Sequence, residues 1–386
     1  MKTVYLLLMA IFFVNCTNEE NLNTLRFKKT EKNFEDVFEL KETVHIKSNY
    51  TTNVKLYGID KLIELDDSTI IISDNAGNSI IKLKTSGDYK IIAKAGRGPG
   101  EFEYLSDFIV TQDNKIIGID YNSFMNIYEI NGKFLKKIEM AYEHRLPELI
   151  SECPDGKLIV AAEKNLVDKS SKDSYKFIEF SKKCYLNLYN NKFKLVKSFL
   201  NPDKKFDVTM SHFLRTQQKT FTPFTLIENI IIAMLQDGLY NVYLYNCEGI
   251  LLKKYKVISD AFTEFDFNLI SGHKVVNGRS NFTIKQKGEI CASHSSPVML
   301  HSVGNYILVT IIEPYDNIFP QFSNGEMNFH IDIFKYENGE LIPVISNINS
   351  EKKIIGVSNS NTIFMKDRRL DERINEFKIY KYKMKI

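Results

Sequence analysis

Short apolar runs, rich in β-branched residues and separated by clusters of Gly, Asn, Asp and Ser, recur along most of this chain. Runs of about four to eight such residues are typical of β-strands. A first set predicts a four-stranded antiparallel meander, with runs at 59–65, 70–73, 79–83 and 89–94. A second set follows, with runs at 105–111, 115–119, 126–130 and 134–140. Asp74 and Asp120 occupy the same place in the two sets, about 46 residues apart, which is within the range of β-propeller blades.

Four further sets follow at irregular intervals. The third set has runs at 148–153, 157–162, 185–189 and 194–199, and the fourth at 221–227, 230–234, 241–245 and 249–255. The fifth set has runs at 297–303, 306–311, 329–335 and 341–345. The sixth has runs only at 354–358, 362–367 and 375–382, and is therefore one strand short.

The missing strand is expected from the other end of the chain, because an open ring leaves an unpaired edge that is prone to aggregation. Residues 36–46, ahead of the first set, supply a suitable run. We therefore predict an all-β protein, a six-bladed β-propeller with four-stranded antiparallel blades, closed by pairing of 36–46 with 375–382 in the last blade. A β-sandwich or two smaller β domains is the alternative, which repeats near this period disfavour.

The first residues have the pattern of an export signal. Lys2 precedes an apolar run at 4–14, which is too short to span a bilayer and has the length of a signal-peptide core. No Ala-x-Ala cleavage site follows the run, but Cys16 does. This arrangement resembles a bacterial lipoprotein signal, which implies that Cys16 is lipidated and begins the mature chain. We expect a signal peptide at 1–15, a tether at 16–33 and a single propeller domain at 34–386.

Two motifs carry a resemblance to a family. Residues 17–20 (TNEE) place two carboxylates behind Cys16 and resemble the export signal of surface lipoproteins in Bacteroidetes. Residues 96–102 (GRGPGEF) join the first set of strands to the second, and their GPGEF part resembles a string in six-bladed β-propeller lipoproteins of gut Bacteroidetes. The resemblance implies the propeller fold and an outer-membrane lipoprotein at the cell surface. It implies no reaction and leaves open whether the protein faces the periplasm or the outside.

The connections between strands differ in length between the two faces of the predicted ring. In a four-stranded blade, the links from second to third strand and from one blade to the next lie on one face. The long links all fall on that face, at 163–184, 201–220, 258–296 and 313–328, whereas the opposite face carries tight turns. Long loops on a rigid scaffold commonly bind ligands, although they can also be insertions without a role. The residues that we expect to contact a ligand are Arg97, Glu101, Arg215, Gln217, Arg279, His294 and Tyr315.

The glycine-rich joint at 96–102 has two interpretations. Because it runs from an outer strand to an inner one, Arg97 and Glu101 can point at the mouth of the central channel and contact a ligand. In the structural interpretation, Glu101 caps backbone amides and Phe102 wedges between blades. The string occurs once in the chain, which favours the structural interpretation.

Composition narrows the functional class. The formal charge is +3 and lysines are spread along the strands, which argues against binding of nucleic acid. The seven histidines show no metal-ligand spacing, Trp is absent, and no hydrolase or phosphate-loop motif occurs. We therefore predict a monomeric, non-catalytic binding lipoprotein without a cofactor, which holds a peptide, a glycan or a membrane protein complex. The alternatives are a lyase or hydrolase with a divalent metal in the channel, and a scaffold for a membrane complex.

The cysteines besides Cys16 are Cys153, Cys184, Cys247 and Cys291. Export permits disulfides, and Cys153 and Cys184 are the one pair that shares a predicted blade. We favour buried free thiols, while the disulfide state of all four stays open.

Overall fold

The protein forms an all-β six-bladed propeller, which confirms the predicted fold class. The computed structural model describes residues 23–28, 32–47, 56–84, 88–140, 144–164, 184–201, 222–236, 238–266, 275–276, 279–280, 293–314, 329–358, 360–367 and 376–386. Within these residues, no helix is long and apolar enough to cross a membrane.

Two strands and one helical turn precede the first blade, and each blade then consists of consecutive strands from its innermost to its outermost. The leading elements are β1 (Asn23–Arg26), α1 (Phe34–Val37) and β2 (Phe38–Lys47). Blade 1 contains β3 (Lys61–Asp66), β4 (Thr69–Asp74), β5 (Ser79–Lys84) and β6 (Tyr89–Ala95), with the short β7 (Glu101–Phe102) beside β6. Blade 2 contains β8 (Leu105–Val110), β9 (Lys115–Asp120), β10 (Phe124–Glu129) and β11 (Phe134–Glu139).

The third and fourth blades repeat the arrangement, and a two-stranded hairpin follows them. Blade 3 contains β12 (His144–Glu152), β13 (Leu158–Lys164), β14 (Cys184–Tyr189) and β15 (Leu195–Phe199). Blade 4 contains β16 (Phe224–Ile227), β17 (Ile230–Met234), β18 (Asn241–Asn246) and β19 (Leu251–Ile258). The hairpin consists of β20 (Val275–Val276) and β21 (Arg279–Ser280).

The last two blades complete the ring. Blade 5 contains β22 (Ser296–Val303), β23 (Tyr306–Ile312), β24 (Phe329–Glu337) and β25 (Glu340–Ser350). Blade 6 contains β26 (Lys352–Val357), β27 (Thr362–Asp367), β28 (Glu376–Met384) and, as its outermost strand, β2.

Six apolar clusters hold successive blades together, and a single strand contributes to two of them. In β4, Ile71 packs toward blade 2 and Ile72 toward blade 6, and Ile80 and Ile81 of β5 divide in the same way. Successive side chains of a strand point to opposite faces of the sheet. A blade with a neighbour on each side therefore buries both faces, which explains the continuous apolar runs of the sequence.

The N-terminal strand closes the ring, as predicted. β2 pairs antiparallel with β28 in a register that runs from Phe38 opposite Met384 to Lys47 opposite Glu376. The strand begins at Phe38 and not at residue 36, because α1 occupies the preceding four residues. The Asp36 carboxylate accepts the backbone N–H of Asn33 at 2.9 Å, an interaction that favours a helical turn.

A second N-terminal strand was not expected and changes the extent of the predicted tether. β1 pairs in parallel with the outermost strand of blade 4, with Asn23 opposite Tyr255. Leu25 and Phe27 pack in the cluster between blades 4 and 5, and the Phe27 ring lies 4.9 Å from that of Phe334. Residues 23–26, assigned to the tether at 16–33 from the sequence, are thus part of the folded ring.

The two faces of the ring differ in their links, and we name them for this. The turn face carries the links from first to second and from third to fourth strand, which are between two and five residues long within a blade. The loop face carries the remaining links, and four of these exceed fifteen residues: β13 to β14, β15 to β16, β19 to β22 and β23 to β24. This distribution agrees with the expectation from the sequence.

Candidate functional site at the channel mouth

Charged side chains meet where the innermost strands of the first blades begin, on the loop face. Lys61 is the first residue of β3, and its Nζ lies 2.9 Å from Oδ1 and 3.0 Å from Oδ2 of Asp107 in β8. The backbone N–H of Ile150 in blade 3 donates to the same carboxylate at 2.9 Å. The Asp107 side chain is 4% exposed. One buried carboxylate therefore links three blades beside the channel.

A second charged group lies between blades 6 and 1. Asp60 accepts the backbone N–H of Asn75 at 2.9 Å, and Lys366 Nζ lies 3.8 Å from Asp60 Oδ1. Lys353 stands opposite Lys366 across β26 and β27. Burial lowers the pKa of Lys366 and Lys353 lowers it further, while Asp60 opposes both. Because the Lys366 ammonium is poorly solvated, an anionic group of a ligand would stabilise it.

Tyr121 follows β9 on the loop face and adds a neutral hydrogen-bonding group. Burial, followed by the carboxylates of Glu148, Asp107 and Asp60, raises the pKa of Tyr121 to about 12. Glu148 is itself buried, at the middle of the inner strand of blade 3. The phenol therefore keeps its proton at neutral pH and can donate a hydrogen bond to an acceptor in the mouth.

His301 belongs to β22, the inner strand of blade 5, and is half-buried. Burial lowers the pKa of His301 to about 3, and the charges of Lys61 and Lys353 contribute to the shift. The imidazole is thus neutral at pH 7. Its Nε2 atom is enclosed and has no hydrogen-bond partner among the residues that the structure describes.

We call these side chains the mouth cluster: Asp60, Lys61, Asp107, Tyr121, Glu148, His301, Lys353 and Lys366. It combines ammonium groups, carboxylates, a phenol and a neutral imidazole, which suits a polar ligand that both donates and accepts hydrogen bonds. Within the described ranges, no three His, Cys, Asp or Glu side chains are grouped so that they could hold a metal ion.

The joint at 96–102 has the structural role that was favoured from its sequence. The Glu101 carboxylate accepts the backbone N–H of Gly98 at 2.8 Å and lies 3.4 Å from Lys94 Nζ, which lowers its pKa. Phe102 is fully buried between blades 1 and 2. Gly100 has a φ of +74°, and a Cβ there would lie 2.8 Å from the Phe134 ring.

The joint does not reach the channel mouth, in contrast to the first interpretation. Glu101 and Phe102 pair in parallel with the outer strand β6, so the string turns back along the rim of blade 1. Arg97 is 84% exposed and pairs with Glu103, with 2.7 Å between Nη2 and Oε1. Of these residues, Arg97 alone presents its charge to solvent on the loop face.

The remaining predicted ligand contacts have different outcomes. His294 is 2% exposed and packs edge-on against Phe265 at 5.2 Å, and its contact with a ligand stays a prediction. Arg279 lies in the β20–β21 hairpin within the link from blade 4 to blade 5. Cys16, Arg215, Gln217 and Tyr315 lie outside the described residues.

The sequence reading missed the mouth cluster. Its members are scattered over five blades as single charges or short charged pairs, and such charges normally mark a solvated strand face. One signal was present, because Lys61 and Asp107 have the same separation of 46 residues as the Asp74 and Asp120 pair used to align the blades. Opposite charges at the equivalent position of these two neighbouring blades form the ion pair between their inner strands.

The fold and the mouth define a propeller of six blades with one loop-bearing face. The sequence matches a family described as a 6-bladed beta-propeller, DUF5128, over residues 14–262, and the chain belongs to this family. No curated protein matches the sequence.

Two solved structures share the fold over nearly the whole chain. One is a Bacteroides fragilis protein inferred to be exported, with 13% identity, a TM-score of 0.61 and coverage of 95% of this chain and 100% of that one. The other is a member of the duf4221 family from Bacteroides vulgatus, with 9% identity, a TM-score of 0.55 and coverage of 91% and 99%. At these identities the similarity shows the fold alone.

Proposed function

We propose that this protein is an exported, lipid-anchored, monomeric binding protein, which holds a peptide, a glycan or a membrane protein complex on its loop face and does not transform it. The proposal rests on the position of the four long links, which all lie on the face that carries the mouth cluster. Tight turns are sufficient to connect the strands of a closed ring. Long loops confined to one face therefore need an explanation other than folding. Arg97, Arg215, Gln217, Arg279 and Tyr315 are the loop contacts that we propose beside the mouth cluster.

Export and anchoring are supported by the apolar run that ends at Cys16 and by the fold shared with a Bacteroides fragilis protein inferred to be exported. Two carboxylates behind Cys16 support the cell surface as the destination. A binding role is supported by the mouth chemistry, in which the neutral His301 imidazole and the protonated Tyr121 phenol can form hydrogen bonds to a polar ligand.

Binding at the mouth is tested with a glycan array and an immobilised hexapeptide library, each probed with purified protein. Lys353→Ala and Tyr121→Phe remove one charge and one hydroxyl from the mouth cluster. We expect either change to weaken retention roughly tenfold, which corresponds to about 1.4 kcal/mol. Melting should change little, because both side chains are partly exposed and both substitutions leave the strand backbone unchanged.

The matched controls lie on the turn face. Lys115→Ala removes an exposed lysine at the start of β9, and Asn191→Ala changes an exposed turn of blade 3. Both should retain the ligand as the unchanged protein does. The proposal is wrong if only the turn-face variants lose retention, or if the unchanged protein retains nothing from either library.

A further inference from the structure

Two cysteines from different blades meet at the turn face. Cys153 follows β12 directly in blade 3, and Cys247 follows β18 directly in blade 4. They are 0% and 5% exposed and belong to the same apolar cluster. Their side chains lie within hydrogen-bonding distance of each other, and both are free thiols in the structure.

The two turns that carry these cysteines are held together by further contacts. Lys157 Nζ, in the turn after Cys153, lies 3.8 Å from Oε1 of Glu248, which follows Cys247. Lys197 of blade 3 donates to the backbone carbonyl of Gly249 at 2.8 Å. The approach of the sulfur atoms is thus part of a packed boundary between blades, with backbone and side-chain contacts on each side.

The same geometry excludes the pair that shares a blade. Cys184 begins β14 at the loop face, where the Asn201 amide lies 3.4 Å from its sulfur. Cys153 lies at the turn face, so the length of a β-strand of six residues separates the two thiols. At about 3.3 Å per residue this distance far exceeds the reach of a disulfide.

We propose that Cys153 and Cys247 are joined by a disulfide in the exported protein, which links blades 3 and 4 covalently at the turn face. The proposal rests on the export included in the proposed function, since disulfides persist in oxidising compartments. A disulfide holds its sulfur atoms about 2.05 Å apart, so thiols already in contact need only a local side-chain adjustment. The bond would lie across the blade boundary that carries the long link from β15 to β16 on its other face.

The reaction is thiol–disulfide exchange with a disulfide oxidant, either a dithiol–disulfide oxidoreductase or oxidised glutathione. The Cys247 thiolate attacks the oxidant and displaces one of its thiolates. Cys153 then attacks the mixed disulfide and displaces the other. Two electrons pass from the cysteines to the oxidant, and the two thiol protons end on the two thiols that the oxidant becomes.

Electrostatics support this order of events. Contact with Cys153 lowers the pKa of the Cys247 thiol, whereas the same contact and burial raise the pKa of the Cys153 thiol. Cys247 also lies in an exposed turn and retains slight exposure. The first attack is therefore assigned to Cys247, because the thiolate is the nucleophile in this exchange.

The experiment uses purified full-length protein, incubated with oxidised glutathione and then treated with a maleimide under denaturing conditions. We expect an intact-mass loss of about 2 Da and two fewer labelled cysteines. Digestion without reductant should give one peptide pair that joins Cys153 to Cys247. Reduction should lower the melting temperature of the oxidised protein by several degrees.

Matched variants separate this pair from the other cysteines. Cys184→Ala should still form the linked peptide and still lose stability on reduction. Cys153→Ala and Cys247→Ala should each lose the linked peptide and the loss of stability on reduction. If a variant fails to fold, the peptide map of the unchanged protein still tests the disulfide. Full labelling of Cys153 and Cys247 after oxidation, or a link from either to Cys184 or Cys291, would overturn the proposal. The oxidant is added in vitro, so the disulfide can form in this experiment whether or not the protein is exported. The test therefore distinguishes failure of the disulfide proposal from failure of the proposed export.

Discussion

Asp332 shows how a single side chain can make the stability of the ring depend on pH. It is fully buried in β24, where it accepts the Tyr240 hydroxyl at 2.9 Å and the backbone N–H of Asn347 at 2.8 Å. Burial raises the pKa of Asp332 from 3.8 to about 6. His330 Nε2 lies 3.9 Å away, and burial lowers the pKa of this imidazole from 6.5 to about 4.

We predict that the stability contributed by Asp332 is lost as pH rises through about 6, because the folded protein holds the carboxyl proton more tightly than the unfolded chain. Relative to Asp332→Asn, the unchanged protein should lose up to about 3 kcal/mol of unfolding free energy between about pH 4 and pH 6. Urea denaturation across this range measures the difference.

The control for this experiment is His330→Asn, which should act in the opposite direction. The His330 pKa is lowered on folding, so its contribution is lost as pH falls from about 6.5 to 4. Parallel pH profiles of the unchanged protein and Asp332→Asn would contradict the assignment.

At the residue scale, the sequence revealed roles that depend on local backbone and hid those that depend on distant partners. The capping by Glu101 and the burial of Phe102 follow from a glycine-rich string within seven residues. The burial of Asp107 and Asp332 depends on blades that are remote in the chain. The burial of His294 was hidden for the same reason, because the sequence of a loop does not show which of its residues fold inward.

At the element scale, two N-terminal strands perform different tasks. β2 pairs along its whole length with β28 and completes blade 6. β1 adds four residues to the exposed edge of blade 4, and Phe27 extends its contact into the next cluster. We infer that β2 is essential for the ring and that β1 adds a smaller increment of stability.

Three truncations test this division. Chains that begin at residue 23, 34 or 51 retain both strands, only β2, or neither. We predict that the melting temperature falls in that order. The loss of β1 should lower it slightly. The loss of β2 should lower it strongly and cause aggregation, because the edge of β28 is then exposed. Thermal melting followed by circular dichroism and light scattering measures both steps.

The chain that begins at residue 23 serves as the reference for the other two. If the chain that begins at residue 51 melts at the reference temperature without aggregating, β2 does not close the ring. If the chain that begins at 34 is the least stable, the two tasks have been assigned in the wrong order.

The sequence predicted most of the strands but not β1. The inner and middle strands of the blades bury both faces and therefore appear in the sequence as short, continuous apolar runs. β1 is short and largely exposed, and Leu25 together with Phe27 just after the strand packs inward, a pattern that is common in loops. Its pairing depends on the free edge of β19, which local sequence cannot reveal.

At the scale of the whole molecule, the anchor and the ring should be separable. We predict that Cys16→Ser releases the protein from membranes or leaves its precursor uncleaved, because we propose that the lipid is attached to the Cys16 thiol. Melting of the ring should not change, since Cys16 precedes β1. Membrane fractionation measures release of the protein, and intact-mass measurement detects an uncleaved precursor.

Cys184→Ser is the control, because it removes a half-buried thiol and leaves the anchor intact. This variant should stay with the membrane. An unmodified Cys16 in protein extracted from membranes would exclude lipidation there.

The closing strand also fixes the order in which the molecule can be completed. β2 is among the first elements made on the ribosome, and its partner β28 is the last. Strands so distant in the sequence pair slowly, because the chain between them loses entropy on closing into a loop before the contacts of the paired strands can form. The ring therefore closes only after the strands of all six blades have been made, because β2 and β28 flank the other blade strands in the chain.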